Sequence, residues 1–121
     1  MIRGMGLDMI EIERIRRSLK KGSRFAERIL TPAEQSYCLQ GKASAERTAG
    51  RFAAKEAIAK AFGKSLGWLE VEILPDENGK PLVWLSDRAL EAAEGGKILL
   101  SITHTRELAS ASAIWVVGEG Q

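Results

Sequence analysis

Hydrophobic and polar positions change period along this chain, and the changes mark out its elements. Residues 2–9 form a short, mostly apolar stretch that reads as a strand, with Gly4 and Gly6 allowing close backbone approach at one face. From Ile10 the spacing turns helical, with Ile10, Ile12, Ile15 and Leu19 set among charged residues. Gly22-Ser23 interrupts that pattern, and Ser23 is placed to cap a second short helix carrying Phe25, Ile29 and Leu30. Thr31-Pro32-Ala33-Glu34 is a strong helix start, with Thr at the cap, Pro at the first position and an acid three residues after the cap. The helix it opens is expected to end near Gly41. A long helix from Ser44 to Phe62 follows, rich in Ala, Lys, Arg and Glu, and Gly63 stops it.

Beyond Gly63 the period falls to two. Trp68 to Ile73 alternates as a strand and so does Pro81 to Leu85, with an Asn78-Gly79 tight-turn signal between them. Residues 87–94 read as a short helix capped by Ser86 or Asp87, and strands at about 97–104 and 109–117 close the chain as an antiparallel pair. The pattern predicts an α+β fold: a mainly antiparallel sheet packed against a long central helix, with the helices on one face. No repeat, low-complexity tract or linker divides it, and 121 residues suit one domain spanning 1–121.

Composition narrows the function classes. At 45% hydrophobic and 28% charged the chain resembles an ordinary soluble globule, and no stretch approaches the ~18–20 apolar residues of a membrane span. The first residues lack the long apolar block of a secretory signal, and Cys38 stands alone, so a reducing cytoplasm is the expected compartment. One Cys and one His are too few for a zinc finger or a thiol redox motif. The net charge of +2 hides an uneven distribution. Between Arg14 and Arg28 lie seven basic residues against Glu27 alone, a window of +6 that leaves −4 for the remainder. Such a focused patch suits an acidic partner, although a merely solvated helix face explains it equally well.

Candidate chemistry concentrates in Arg51 to Gly63. At about 100° per residue, Arg51, Lys55, Glu56 and Lys60 fall within one half of the helical wheel, shared with Phe52, Ala59 and Phe62. Charged groups bordering an apolar stripe suit a recessed site, and a plain Glu56–Lys60 i,i+4 surface pair is the alternative. Asp8 ends a strand of Gly and aliphatic residues, where a carboxylate needs a partner: a Lys or Arg, or a hard cation shared with Glu56. Strand alternation puts His104 on the face of Leu100 and Ile102, either as a satisfied sheet-edge histidine or as a ligand contact. There is no Gly-x-Ser-x-Gly elbow and no complete dinucleotide fingerprint.

Gly6-Leu7-Asp8, Arg24 to Leu30, Arg51 to Gly63, and Ser101-Ile102-Thr103-His104-Thr105 occur in this order. With them, and above all with Phe52-x-x-Lys55-Glu56-Ala57-x-x-Lys60, the sequence resembles the holo-acyl-carrier-protein synthases, the small bacterial type of 4′-phosphopantetheinyl transferase, from about Ile2 to Val117. The resemblance implies that fold and the transfer of the phosphopantetheine arm of coenzyme A to a serine of apo acyl carrier protein, releasing adenosine 3′,5′-bisphosphate. It implies magnesium held by Asp8 and Glu56, with catalytic roles for Glu56 and Lys60. The serine proton would pass to Glu56 or to a water on the cation. Arg51, Lys55, Lys60 and His104 would lie along the nucleotide and phosphates, with Gly63 and Thr105 giving backbone room and further contacts. Arg14, Arg24 and Arg28 would meet the acidic carrier protein, with Phe25 and Ile29 as apolar anchors.

The same resemblance implies a homotrimer with sites between subunits. Trp68, Trp84 and Trp115 all fall in expected strands, where they suit either a shared sheet interface or an internal core. Ile10, two positions after Asp8, offers no third carboxylate, so water would complete the metal shell. Two other classes stand beside this one. A nucleic-acid module would interleave aromatics with the basic window, yet only Phe25 does so, and neither nucleic acid nor membrane is an expected partner. A non-catalytic binder of coenzyme A would keep the phosphate contacts without a carrier-protein surface.

Overall fold

The structure, a computed structural model, describes residues 1–118. Strand β1 (Ile2–Glu11) turns Gly4, Gly6, Asp8 and Ile10 inward and Arg3, Met5, Leu7 and Met9 outward. The inward glycines decide how it packs. A Cβ on Gly6 would sit 2.8 Å from the Ala61 nitrogen and closer still to the Ala57 carbonyl oxygen, while one on Gly4 would strike the Ala61 carbonyl. Both contacts are with helix α4 (Ser44–Phe62), so strand and helix backbones meet directly. Between β1 and α4 the chain forms three shorter helices, α1 (Ile12–Lys20), α2 (Arg24–Ile29) and α3 (Pro32–Cys38).

After α4 come β2 (Val71–Pro75), β3 (Pro81–Leu85), α5 (Asp87–Ala92), β4 (Lys97–His104) and β5 (Leu108–Val116). Their strands form two antiparallel sheets rather than one: β1-β5-β4, and the pair β2-β3. In the larger sheet Asp8 lies opposite Ala111 and Ala111 opposite Ile102, while Ile10, Ala109 and His104 form the next inward row. Alanines line the contact from both sides, Ala53, Ala57 and Ala61 on α4 against Ala109, Ala111 and Ala113 on β5, and all are buried. Larger side chains close the flanks. Phe62 meets Trp115 edge-on at 5.0 Å, and the Trp115 indole donates to the Ala93 carbonyl at 2.9 Å. Trp115 therefore belongs to the core, Trp84 is half exposed, and Trp68 stacks on Phe52 at 4.9 Å.

Several expectations need correction at element ends. The first strand runs on to Glu11, so α1 starts at Ile12 instead of Ile10. Trp68–Glu70 is a 3₁₀ turn, not strand, because the Glu70 carboxylate folds back onto the Gly67 N–H at 2.9 Å. The hairpin is not a two-residue Asn-Gly turn. Pro75 pairs with Pro81 around a five-residue loop, in which Asp76 Oδ1 accepts from the N–H groups of Asn78 and Lys80. Ser23 sits at the α2 cap position without a side-chain bond, whereas Ser86 caps α5 by accepting from the Ala89 N–H. Helix α3 stops at Cys38, short of Gly41, and α5 at Ala92.

Gly6→Ala drives a methyl into the α4 backbone and is expected to destabilise the fold by at least ~2 kcal/mol, the scale of overpacked cores. Urea denaturation measures it, and an unchanged midpoint would contradict the direct strand–helix contact.

Candidate functional site

The glycine contact carries β1 along α4 so that the next inward residue, Asp8, comes beside the helix flank. Lys60 Nζ donates to Asp8 Oδ1 at 3.0 Å and to the Leu7 carbonyl at 3.0 Å. The carboxylate is mostly covered, at 16% side-chain exposure, and the lysine is open at 56%. An ion pair this exposed adds ~1 kcal/mol at most, so its interest is chemical rather than structural. Glu56 lies one turn before Lys60 on the same flank, half-buried, with no side-chain partner among the described residues. The Asp8 partner is thus Lys60, and the anticipated Glu56–Lys60 surface pair does not form.

Among the described residues no three His, Cys, Asp or Glu side chains gather as a metal cluster. Two carboxylates beside an ammonium are a poor match for zinc, which wants N and S donors. They fit magnesium, which binds through one or two carboxylates and completes its shell with phosphate and water.

A second set of predicted residues lines a cleft of about 410 Å³ between the start of α4, the β2-β3 loop and the end of β4. Arg51 and His104 both border it, together with Tyr37, Arg47, Gly50 and Ile102. The Tyr37 ring meets two guanidinium groups, Arg51 at 4.8 Å and Arg47 at 5.3 Å from its centroid. Arg51 is buried, its Nε donating to the Ile73 carbonyl at 3.1 Å, and Arg47 donates to the Gln40 carbonyl at 2.8 Å. No motif in the sequence points to Tyr37. His104 is exposed, with Nδ1 3.3 Å from the Thr105 carbonyl oxygen. Thr105 folds its own turn, its hydroxyl accepting from the N–H groups of Glu107 and Leu108. Gly63 ends α4 in the left-handed region at φ +71 with open space where a Cβ would lie. The seam and the cleft do not merge. Asp8 and His104 share the inward sheet face but lie on strands two spacings apart, about 10 Å.

Lys55 requires a correction. Its side chain is buried, and all three ammonium donors are taken by the Ile29 carbonyl at 2.8 Å, the Trp68 carbonyl at 2.8 Å and Glu34 Oε1 at 2.6 Å. No N–H is left for a phosphate. Burial holds the Lys55 ammonium below its ordinary range, opposed by the Glu34 carboxylate. Glu34 also accepts from the N–H groups of Thr31 and Ile73, completing the capping box that Thr31-Pro32-Ala33-Glu34 foretells.

The basic window forms an exposed groove of about 510 Å³ between α1 and α2, lined by Ser18, Lys21, Gly22, Ser23, Arg24, Phe25 and Arg28. Arg14, Arg24 and Arg28 are exposed and Phe25 is half-buried, with the Arg28 guanidinium 5.9 Å from its ring. Ile29 cannot serve as a surface anchor, because the α2 turn directs it into the small core made with Ala26, Leu30 and Cys38.

Comparisons with known proteins agree on one assignment. Residues 4–112 match the 4′-phosphopantetheinyl transferase superfamily. A holo-[acyl-carrier-protein] synthase of Protochlamydia amoebophila is 49% identical over 117 residues, covering 93% of this chain and 96% of its own. The crystal structure of the Neisseria meningitidis holo-[acyl-carrier-protein] synthase superposes with a TM-score of 0.84 at 35% identity, covering 94% of this chain and 98% of its own. The Bacillus anthracis synthase, solved in complex with CoA (3′,5′-ADP), gives 0.80 at 38% identity, with 94% and 96% covered.

Cys38 lies at the edge of this region without belonging to it. Burial pushes its thiol up from 9.0 to about 11, with Arg51 acting in the opposite sense. A thiol reagent at pH 8 should modify the native protein at least ~100-fold more slowly than the urea-unfolded chain. Because the folded thiol holds its proton longer, its contribution to stability is complete below pH 9.0 and is lost as pH rises toward about 11. Denaturation of Cys38→Ala across that range should show a shallower decline than the parent protein.

Proposed function

The chain belongs to the 4′-phosphopantetheinyl transferase superfamily, as one of its holo-[acyl-carrier-protein] synthases, and from that premise we propose how its residues carry out the transfer. The reaction moves the phosphopantetheine arm of coenzyme A onto a serine of apo acyl carrier protein, a step that equips the carrier for fatty acid biosynthesis. The serine oxygen forms a bond to the β-phosphorus, the pyrophosphate bridge breaks, and adenosine 3′,5′-bisphosphate leaves. The observation that carries the assignment is the β1–α4 seam, where Asp8 and Lys60 meet beside Glu56.

Asp8 and Glu56 would hold a magnesium ion, and when bound that ion neutralises charge on the pyrophosphate oxygens. Lys60 keeps the Asp8 carboxylate in place and brings a second positive charge to the same phosphates, neutralising the oxygen that departs. Glu56 is the base on this chain beside the seam and takes up the serine proton. Arg51, Arg47 and His104 bind the nucleotide end in the cleft, where the Tyr37 ring holds both guanidinium planes. Gly63 leaves the backbone open at the end of α4, and Thr105 keeps the β4-β5 turn folded beside His104. Arg14, Arg24 and Arg28, with Phe25 beside them, dock the acidic carrier surface.

The sheet's outer face supports assembly as a homotrimer. Met5, Leu7 and Met9 are 73%, 62% and 58% exposed in one row, an apolar strip that two further copies would cover. Sites shared between subunits would also bring the seam of one protomer to the cleft of the next. No helix among the described residues is long and apolar enough to cross a membrane. The free cysteine Cys38 supports a reducing compartment such as the cytoplasm for the reaction.

Incubation with apo acyl carrier protein, coenzyme A and magnesium should raise the intact mass of the carrier by one phosphopantetheine. Chelator and Asp8→Ala should each lower the rate at least ~100-fold. A carrier of unchanged mass with the parent protein would overturn the activity. Sedimentation equilibrium should return three copies, and a monomer would remove the shared-site reading alone.

A further inference from the structure

Lys55 stands in the middle of the most telling motif of the chain, yet its ammonium is inaccessible to coenzyme A. Its contacts point elsewhere. The Ile29 carbonyl that it holds is an acceptor at the C-terminal end of α2, the helix that carries Arg24, Phe25 and Arg28. The residue after Lys55 is Glu56, and Lys60 lies on the next turn of the same helix. One ammonium thus joins the basic docking helix to the helix bearing the seam. Glu34 fixes that ammonium from the opposite side, and it is itself held by the N–H groups of Thr31 and Ile73. A stack of Phe25, Phe52 and Trp68, at 6.4 Å and 4.9 Å between centroids, also joins α2 to α4 and to the 3₁₀ turn.

We propose that Glu34 and Lys55 are positioning residues for the protein substrate: they set where α2 stands relative to α4, and so where the carrier serine arrives over Asp8, Glu56 and Lys60. The proposal rests on the docking role given above to α2. Reaction requires the serine oxygen within about 3–3.5 Å of the phosphorus, and a misplacement of 1 Å is costly. A docking helix tied to the catalytic helix by a hydrogen bond from a buried ammonium, itself fixed by an ion pair, has little freedom to introduce such an error. The pair acts on the carrier side of the reaction and has no part in binding coenzyme A.

The test is the double variant Glu34→Gln/Lys55→Met, which removes both charges together and leaves neither stranded. Coenzyme A affinity is read by calorimetry without carrier, and kcat and KM for apo carrier by the mass assay. The expected result is a coenzyme A Kd within twofold of the parent and a carrier KM raised tenfold or more, with Lys55→Arg recovering most of the loss. A tenfold loss of coenzyme A affinity at unchanged carrier KM would make Lys55 a phosphate ligand and overturn the proposal. Unchanged values for both substrates would reduce the pair to a purely structural one and overturn it equally. If the double variant lacks the parent's circular dichroism, Glu34→Gln with Lys55 intact, which removes the pairing charge and keeps the ammonium's two carbonyl acceptors, is read by the same two numbers with the same outcomes. Failure of the underlying activity is told apart at once, because the parent protein would then transfer nothing.

Discussion

Strand β1 reaches the backbone of α4 because residues 4 and 6 carry no side chains, and the helix answers with Ala57 and Ala61. This contact fixes the distance and the register between two elements far apart in sequence. Asp8 is the next inward residue of the strand, and Glu56 and Lys60 bracket Ala57 on the helix. The chemistry inherits its geometry from a packing requirement. Interiors are close-packed and deform little, so the mostly covered Asp8 carboxylate on such a seam needs little further ordering when phosphate arrives. Any larger side chain at either glycine separates the elements and moves Asp8 with them.

A second constraint is electrostatic. The Glu34–Lys55 pair sits where the end of α2, the start of α3, the 3₁₀ turn and the middle of β2 converge on α4. Each lone partner left in that position would face a desolvation cost of several kcal/mol, so the pair persists only with every donor and acceptor satisfied. That condition is met by the Ile29 and Trp68 carbonyls and by the Thr31 and Ile73 N–H groups. Arg51 adds to the same network, holding the Ile73 carbonyl while the Ile73 N–H goes to Glu34. The free edge of β2 is thus closed by charged side chains from two helices. The cleft beside it gains a buried, oriented guanidinium as a consequence.

What was legible in the sequence followed from local rules. The Thr31–Glu34 capping box, the Gly63 stop and the strand alternation from Val71 are all determined within a few residues, and the structure contains each. Errors arose where distant groups override a local pattern. Lys55 has the spacing of a polar helix face, and nothing in its neighbourhood reveals that two carbonyls and a carboxylate converge on it. Ile29 resembles a surface anchor until α2 turns it inward, and Trp68–Glu70 alternates like strand until Glu70 caps its own turn. Tyr37 escaped notice because its links are ring–guanidinium contacts to Arg47 and Arg51 across the α3–α4 connection, with no motif to announce them. The outward row of Met5, Leu7 and Met9 needed the observed strand register before it could be told from core.

The central claim is that one strand–helix seam supplies both carboxylates of a divalent-cation site. Manganese binding followed by electron paramagnetic resonance, in the presence of coenzyme A, addresses it directly with the parent protein and with Asp8→Asn and Glu56→Gln. The account predicts one ion per protomer in the parent, and affinity at least ~10-fold weaker in each variant, as expected when one of two charged ligands is lost. Undiminished affinity in both variants would contradict it.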